Sequence, residues 1–180
     1  MQRIEDLFNE LRIKAFHAAK QQAWLTPPEL FHQLEEELGL KFTLDPCTEP
    51  DNPLGTPTFY TEEDDGLKQD WAGHVVYMNP SYSDLTPWLR KANMSRLCPN
   101  TVVVGLLPVR TSPQYAEDYI FLRETRLACT LHDIWQGLHS RGPRHCIWVH
   151  FLPDRVSFLD PTTRKPVGSP YFDSMVVVWK

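Results

Sequence analysis

The order of its segments predicts an α/β protein built on a mainly parallel sheet, with antiparallel strands added towards the C-terminus. Three observations carry this. Apolar runs at 41–45, 75–78 and 101–107 fall in the order helix–strand–loop–strand–helix–strand–helix, the pattern of an α/β sheet with mainly parallel strands. Thr101 to Leu107 is the most apolar, β-branched stretch up to that point, as a strand covered on both faces requires. After Arg126, four strand-like runs follow one another without convincing helices between them.

Ile4, Leu7, Phe8, Leu11, Ala15 and Ala18 repeat at helical spacing, so residues 4–20 are expected to form an N-terminal amphipathic helix within a 1–22 segment. Thr26-Pro27-Pro28-Glu29 reads as a helix start, with Thr26 as N-cap, Pro27 at the first position and Glu29 completing a capping box. Leu30, Phe31, Leu34 and Leu38 form the stripe of that helix and Gly39 ends it. Lys41 to Asp45 is a short strand ending in an acid. The chain from Pro46 to Tyr60, with four prolines, is expected to be loop throughout.

Val75-Val76-Tyr77-Met78 runs into Asn79-Pro80-Ser81-Tyr82. An apolar run stopped by Asn-Pro is a buried strand ending in a tight polar loop, because proline cannot donate to a ladder. Such a loop presents an amide, a carbonyl and a ring at the carboxyl edge of the sheet, where ligands of open α/β sheets bind. Thr86-Pro87 caps a further helix with Leu85, Trp88, Leu89, Ala92 and Leu97 on its buried side. Ser112-Pro113 starts another containing Tyr115, Tyr119 and Ile120. Arg126–Leu131, Cys146–Leu152, Val156–Leu159 and Ser174–Trp179 are the expected late strands, with Gly137 to His145 a basic loop.

With 180 residues, 42% of them hydrophobic and 12% aromatic, one domain with a packed core over 1–180 is expected. The start has no apolar signal core, and no run is long enough to span a bilayer, so a soluble, cytoplasmic protein is expected. Cys129, His132, His145 and Cys146 fit no strong ligand template, and no metal is expected. The net charge of −5 hides a division: residues 1–75 hold 6 Lys/Arg against 15 Asp/Glu, and residues 76–180 hold 12 against 8. A chain that is acidic overall can still offer a basic face to phosphates.

Asn79-Pro80-Ser81-Tyr82 resembles the Asn-Pro-Pro-Tyr/Phe motif of methyltransferases that act on exocyclic amines of adenine or cytosine. Other blocks agree, in order: Trp24 with Thr26-Pro27; Phe42-Thr43-Leu44-Asp45-Pro46-Cys47; Phe59 to Leu67 with Asp70-Trp71; Leu107-Pro108-Val109-Arg110-Thr111; and Pro170-Tyr171-Phe172 with Ser174 to Val177. Together they resemble the phage-type DNA adenine N6-methyltransferase (Dam-like) family. The resemblance implies a Rossmann-like sheet, S-adenosylmethionine as cofactor and DNA as partner.

It also implies roles. Asn79 and the Pro80 carbonyl would accept the two amine N–H bonds, and Tyr82 would stack on a base taken out of the helix. Thr26, Pro27, Asp45, Pro46, Cys47, Asp64 and Asp65 would line the cofactor, with Asp45 favoured for its ammonium or ribose. Ser81, Arg110 and Thr111 would contact substrate. Arg141 and Arg144 would do so from residues 131–150, which look longer than the resemblance requires and are expected to grip nucleic acid. Two departures are plain: Ser81 stands where the motif has its second proline, and no Gly-x-Gly loop follows the Asp45 strand. Cytosine N4-methylation, a catalytically silent relative that binds only cofactor or nucleic acid, and an RNA substrate stay open at this point.

Overall fold

Strands β1 (Leu44–Asp45), β2 (Thr58–Phe59), β3 (Val75–Met78), β4 (Val102–Pro108), β5 (Thr125–Leu127), β6 (Ile147–Phe151) and β7 (Ser174–Trp179) pair into one sheet. Their order is β2-β1-β3-β4-β7-β6-β5. The structure is a computed structural model that describes residues 24–122, 124–128, 130–139, 146–168 and 170–180. The helix expected over 4–20 lies outside these residues, as do Arg141 and Arg144.

The pairings make β2, β1, β3 and β4 mutually parallel, and β5 parallel to β6. β7 is antiparallel to both β4 and β6. Of the late strands, then, only the last runs against the rest. The mostly parallel α/β sheet is as expected, with a single reversed strand, β7, lying inside it between β4 and β6. β4 and β7 are almost wholly buried, which is why their sequences are continuously apolar rather than alternating.

Helix α1 (Pro28–Leu38) buries Phe31, Leu34 and Leu38. Glu35 ties its end to the next strand: its carboxylate accepts from the Phe42 backbone N–H at 3.0 Å and pairs with Lys41 at 2.9 Å. Gly39 closes the helix at φ 61°, and a Cβ there would lie 2.7 Å from Trp135 Nε1. The helix start differs from expectation. Pro27 takes the cap position, with its carbonyl accepting from Phe31 N–H at 3.2 Å, and Thr26 caps nothing. Its hydroxyl is turned to the sheet instead.

Helix α2 (Thr86–Ser95) likewise has no side-chain cap, and Leu97, expected on its buried side, is 53% exposed. Helix α3 (Gln114–Tyr119) forms where expected. The 46–60 stretch is not all loop, because Thr58 and Tyr60 donate to the Thr43 and Asp45 carbonyls and add β2 to the sheet edge. Val156–Leu159 makes no strand; only Leu159 bridges, to Leu25 and to Pro166.

The largest difference is α4 (Leu131–His139), where the sequence predicts a strand over Arg126–Leu131 and a loop from Gly137 to His145. Thr130 and Asp133 form a reciprocal cap: Asp133 Oδ2 accepts from Thr130 N at 2.7 Å, and Asp133 N donates to Thr130 Oγ1 at 3.2 Å. Leu131, Ile134 and Leu138 are buried. Gly137 obscured this helix, since glycine disfavours helix interiors. Here it is required by packing: a Cβ would lie 2.7 Å from the Trp148 ring. Among the described residues, no helix is long and apolar enough to cross a membrane.

Candidate active site

Three parallel strands deliver polar groups to one edge. Asp45 ends β1, Asn79 follows β3 directly, and Arg110 follows β4. All three lie at carboxyl ends, the edge where open α/β sheets take ligands. Trp24 to Thr26 is brought to the same edge by the Leu25–Leu159 bridge, with both N–H···O bonds at 2.9 Å.

Asn79 is the best-held group there. Its Nδ2 donates to the Trp24 carbonyl at 2.8 Å and to Thr26 Oγ1 at 3.1 Å. Thr26 Oγ1 in turn shares a 2.6 Å hydrogen bond with the Tyr77 hydroxyl. Both amide protons are thus committed to the protein, which fixes the direction of Oδ1. That oxygen accepts from the Tyr82 hydroxyl at 2.9 Å. An amide oxygen has two lone pairs, so one acceptor position remains.

The Tyr82 hydroxyl lies also 3.3 Å from the Leu106 carbonyl, so its single proton faces two acceptors. Its ring is 3% exposed. It meets Phe158 and Phe172 edge-on, with centroids at 6.2 and 5.5 Å. Burial pushes the Tyr82 and Tyr77 hydroxyls above the usual phenol range, keeping both as neutral donors. The stacking surface expected of Tyr82 is therefore taken up by the protein in this arrangement. Pro80 is buried beneath the loop, and Ser81 is exposed, its Oγ 2.9 Å from Ser83 Oγ.

Asp45 is buried, with Oδ1 accepting from Cys47 N–H at 3.1 Å. Burial raises its carboxyl to about 7, against the lowering effect of the hydrogen bonds from Cys47 and Thr48. Burial, and then the neighbouring Asp45 charge, raise the Cys47 thiol. Asp45, Cys47, Thr26 and Asn79 share a narrow cavity of about 30 Å³, covered by Pro53 and Leu54. Cys47 and Thr48 also border a groove of about 550 Å³, along with Pro46, Asp65, Gly66 and Ser81. Gly66 shapes that groove, because a Cβ there would sit 1.9 Å from the Pro46 carbonyl oxygen.

The two candidate acids of the 64–65 pair divide. Asp64 turns away and holds its own turn, accepting from Thr61 N and Oγ1 at 2.8 Å each. Asp65 borders the groove and pairs with Lys68 at 2.7 Å. Pro27 faces a different surface groove, with Leu30 and residues 152–157. Arg110 Nη1 donates to the Tyr82 carbonyl at 3.4 Å, bracing the loop from behind, and Thr111 is exposed.

The described residues flanking Arg141 and Arg144 lie elsewhere. His139 contacts the Leu38 carbonyl at the end of α1, and Cys146 pairs with Lys180 beyond β7. Both mark the amino edge of the parallel strands, opposite Asn79.

The sequence gives Tyr77, Phe158 and Phe172 no role at the site, though Tyr77 and Phe172 lie in its expected strand and closing block. Tyr77 carried the one usable signal, since a tyrosine inside a buried strand needs a partner for its hydroxyl.

A DNA N-6-adenine-methyltransferase of Haemophilus phage HP1 is 32% identical over 111 residues, covering 58% of this chain and 64% of the phage protein. The chain thus spans under two thirds of that relative's length. No solved structure matches. The model of the DNA N-6-adenine-methyltransferase (Dam) family matches residues 15–180, nearly the whole sequence, and the chain belongs to that family.

Proposed function

We propose that this chain methylates the exocyclic N6 amine of adenine in DNA, with S-adenosylmethionine as methyl donor. The observation that carries the reading is the orientation of Asn79. With Nδ2 bound to Trp24 and Thr26, its oxygen is set in advance to accept, and preorganised acceptors need no rearrangement as charge develops.

An adenine amine is a poor nucleophile because its lone pair is delocalised into the ring. Asn79 Oδ1 and the Pro80 carbonyl oxygen each accept one amine N–H, which favours a pyramidal nitrogen with its lone pair free to attack. The Tyr82 hydroxyl keeps Oδ1 in place and retains the Leu106 carbonyl as an alternative acceptor. No strong general base is required, since a methylated, positively charged nitrogen gives up its proton readily to water. Orientation then supplies most of the rate. Reaching this edge requires the adenine to leave its stack.

The residues present fit the cofactor's chemistry. Asp45 offers a buried carboxylate for an ammonium group or ribose hydroxyls, Asp65 an acceptor for the cofactor's adenine amine, and Gly66 lets its turn approach Pro46 closely at the groove. When bound, S-adenosylmethionine supplies an electrophilic methyl on sulfur. The space beside Asp45, about 30 Å³ between Thr26, Pro53, Leu54 and Asn79, must widen for the amino-acid end to enter.

The test is nucleoside mass spectrometry after incubating the protein with DNA and isotope-labelled cofactor. Label on N6-methyladenine is expected. Label on cytosine alone overturns the adenine assignment, and cofactor binding without turnover on any nucleic acid overturns the catalytic reading.

A further inference from the structure

We propose that Tyr171 stacks on a nucleobase of the DNA at the target site, supplying the aromatic surface that Tyr82 does not expose. The inference rests on DNA as substrate, the reading given above. Tyr171 is 95% exposed, the most exposed large hydrophobic side chain among the described residues. Its surroundings are nevertheless tied down. Pro170 before it is buried. Phe172 after it stacks on Trp24, with centroids 5.5 Å apart and planes at 15°. The Asp173 carbonyl accepts from Val109 N–H at 2.8 Å, and its carboxylate pairs with Arg155 at 3.2 Å.

These contacts place Tyr171 at the right edge of the sheet. Ser174 begins β7 opposite Pro108, the end of β4. Phe172 touches the Tyr82 ring at 5.5 Å, and Tyr82 holds Asn79 Oδ1. Tyr171 thus stands exposed at the same edge of the sheet as Asn79, one residue before the ring that packs on Tyr82. A ring with both faces in water, on an anchored backbone, loses little conformational freedom when it meets a flat partner. Base–aromatic stacking tolerates any sequence, because every base has a π-face. The partner is either the extruded adenine or the base beside the gap it leaves.

The experiment measures DNA affinity directly, by fluorescence anisotropy of labelled oligonucleotides, single-stranded and duplex, with wild type, Tyr171→Ala and Tyr171→Phe. Tyr171→Ala is expected to weaken binding by about 5- to 150-fold, the range for one lost stack. Tyr171→Phe is expected to stay within about twofold of wild type, since a phenyl ring stacks equally well. Melting temperatures and cofactor affinity of both variants should match wild type, because the side chain is exposed to solvent.

Equal binding by Tyr171→Ala and wild type overturns the inference. So does a loss in Tyr171→Phe as large as in Tyr171→Ala, which would mean a hydroxyl contact. Placing 2-aminopurine at the target position or beside it then separates the two possible partners, by which one loses fluorescence quenching in Tyr171→Ala. Wild-type protein that binds DNA but methylates none would sink the proposed function and leave this comparison intact.

Discussion

The Tyr82 hydroxyl donates to Asn79 Oδ1 across 2.9 Å, while the Tyr82 ring lies buried against Phe158 and Phe172. The ring of the motif thus acts on the amide rather than on the solvent. Tyr82→Phe keeps the packing and deletes one hydrogen bond worth about 0.5–1.5 kcal/mol. It should lower kcat by up to about tenfold with DNA affinity unchanged. Steady-state kinetics beside anisotropy checks this. An unaffected kcat would show that the hydroxyl does not orient Asn79.

Asn79→Ala should abolish methyl transfer while cofactor affinity stays near the wild-type value. Losing the bonds to Trp24 and Thr26 should also cost about 1–3 kcal/mol of stability, read from urea denaturation. If cofactor binding and the folded state disappear together with activity, Asn79 is a structural residue.

Asp45 makes a pH prediction. Its carboxyl is raised from 3.8 to about 7 in the folded chain. The folded state therefore binds a proton that the unfolded state has already released, and stability from this group falls as pH rises through that interval. Asp45→Asn, always neutral, should flatten the decline in urea titrations across it. Cofactor affinity should run the other way. Pairing with an ammonium requires the ionised carboxylate, so binding should weaken by about tenfold per pH unit below 7. Calorimetry at several pH values tests this, and Asp45→Asn should bind weakly with little pH dependence.

Gly66→Ala would force a methyl into the Pro46 carbonyl, 1.9 Å away. Both partners are backbone, so no rotamer change relieves the clash. A destabilisation of about 1–3 kcal/mol is expected, with weaker cofactor binding as the groove deforms. Thermal melting with and without cofactor measures both. An unchanged melting temperature would show that the two turns are not in contact.

The parallel strands and the Asn79 loop were legible because their signals are local: apolar runs, Asn-Pro, and carboxylates at strand ends. What the sequence hid was long-range. Thr26 looks like a helix cap from its neighbours, yet its hydroxyl is used 51 residues away by Tyr77. Asp64 and Asp65 are adjacent in the chain, but only the fold shows that one closes a turn while the other borders the groove. Helix α4 was masked by Gly137, whose reason is the Trp148 ring on another element. Its Thr130–Asp133 cap is by contrast a local signal, written in the sequence within four residues.

The reversed strand β7 divides the sheet in another sense. β4 and β6 do not pair with each other; each pairs with β7. Among the described strands, the half of the sheet that carries Asp45, Asn79 and Arg110 is therefore hydrogen-bonded to the half formed by β5 and β6 through residues 174–179. A nascent chain released before Ser174 would hold two separate half-sheets with their central edges bare. The complete sheet requires this strand, and deletion of residues 174–179 should be more damaging than loss of the two-residue edge strand at Thr58–Phe59.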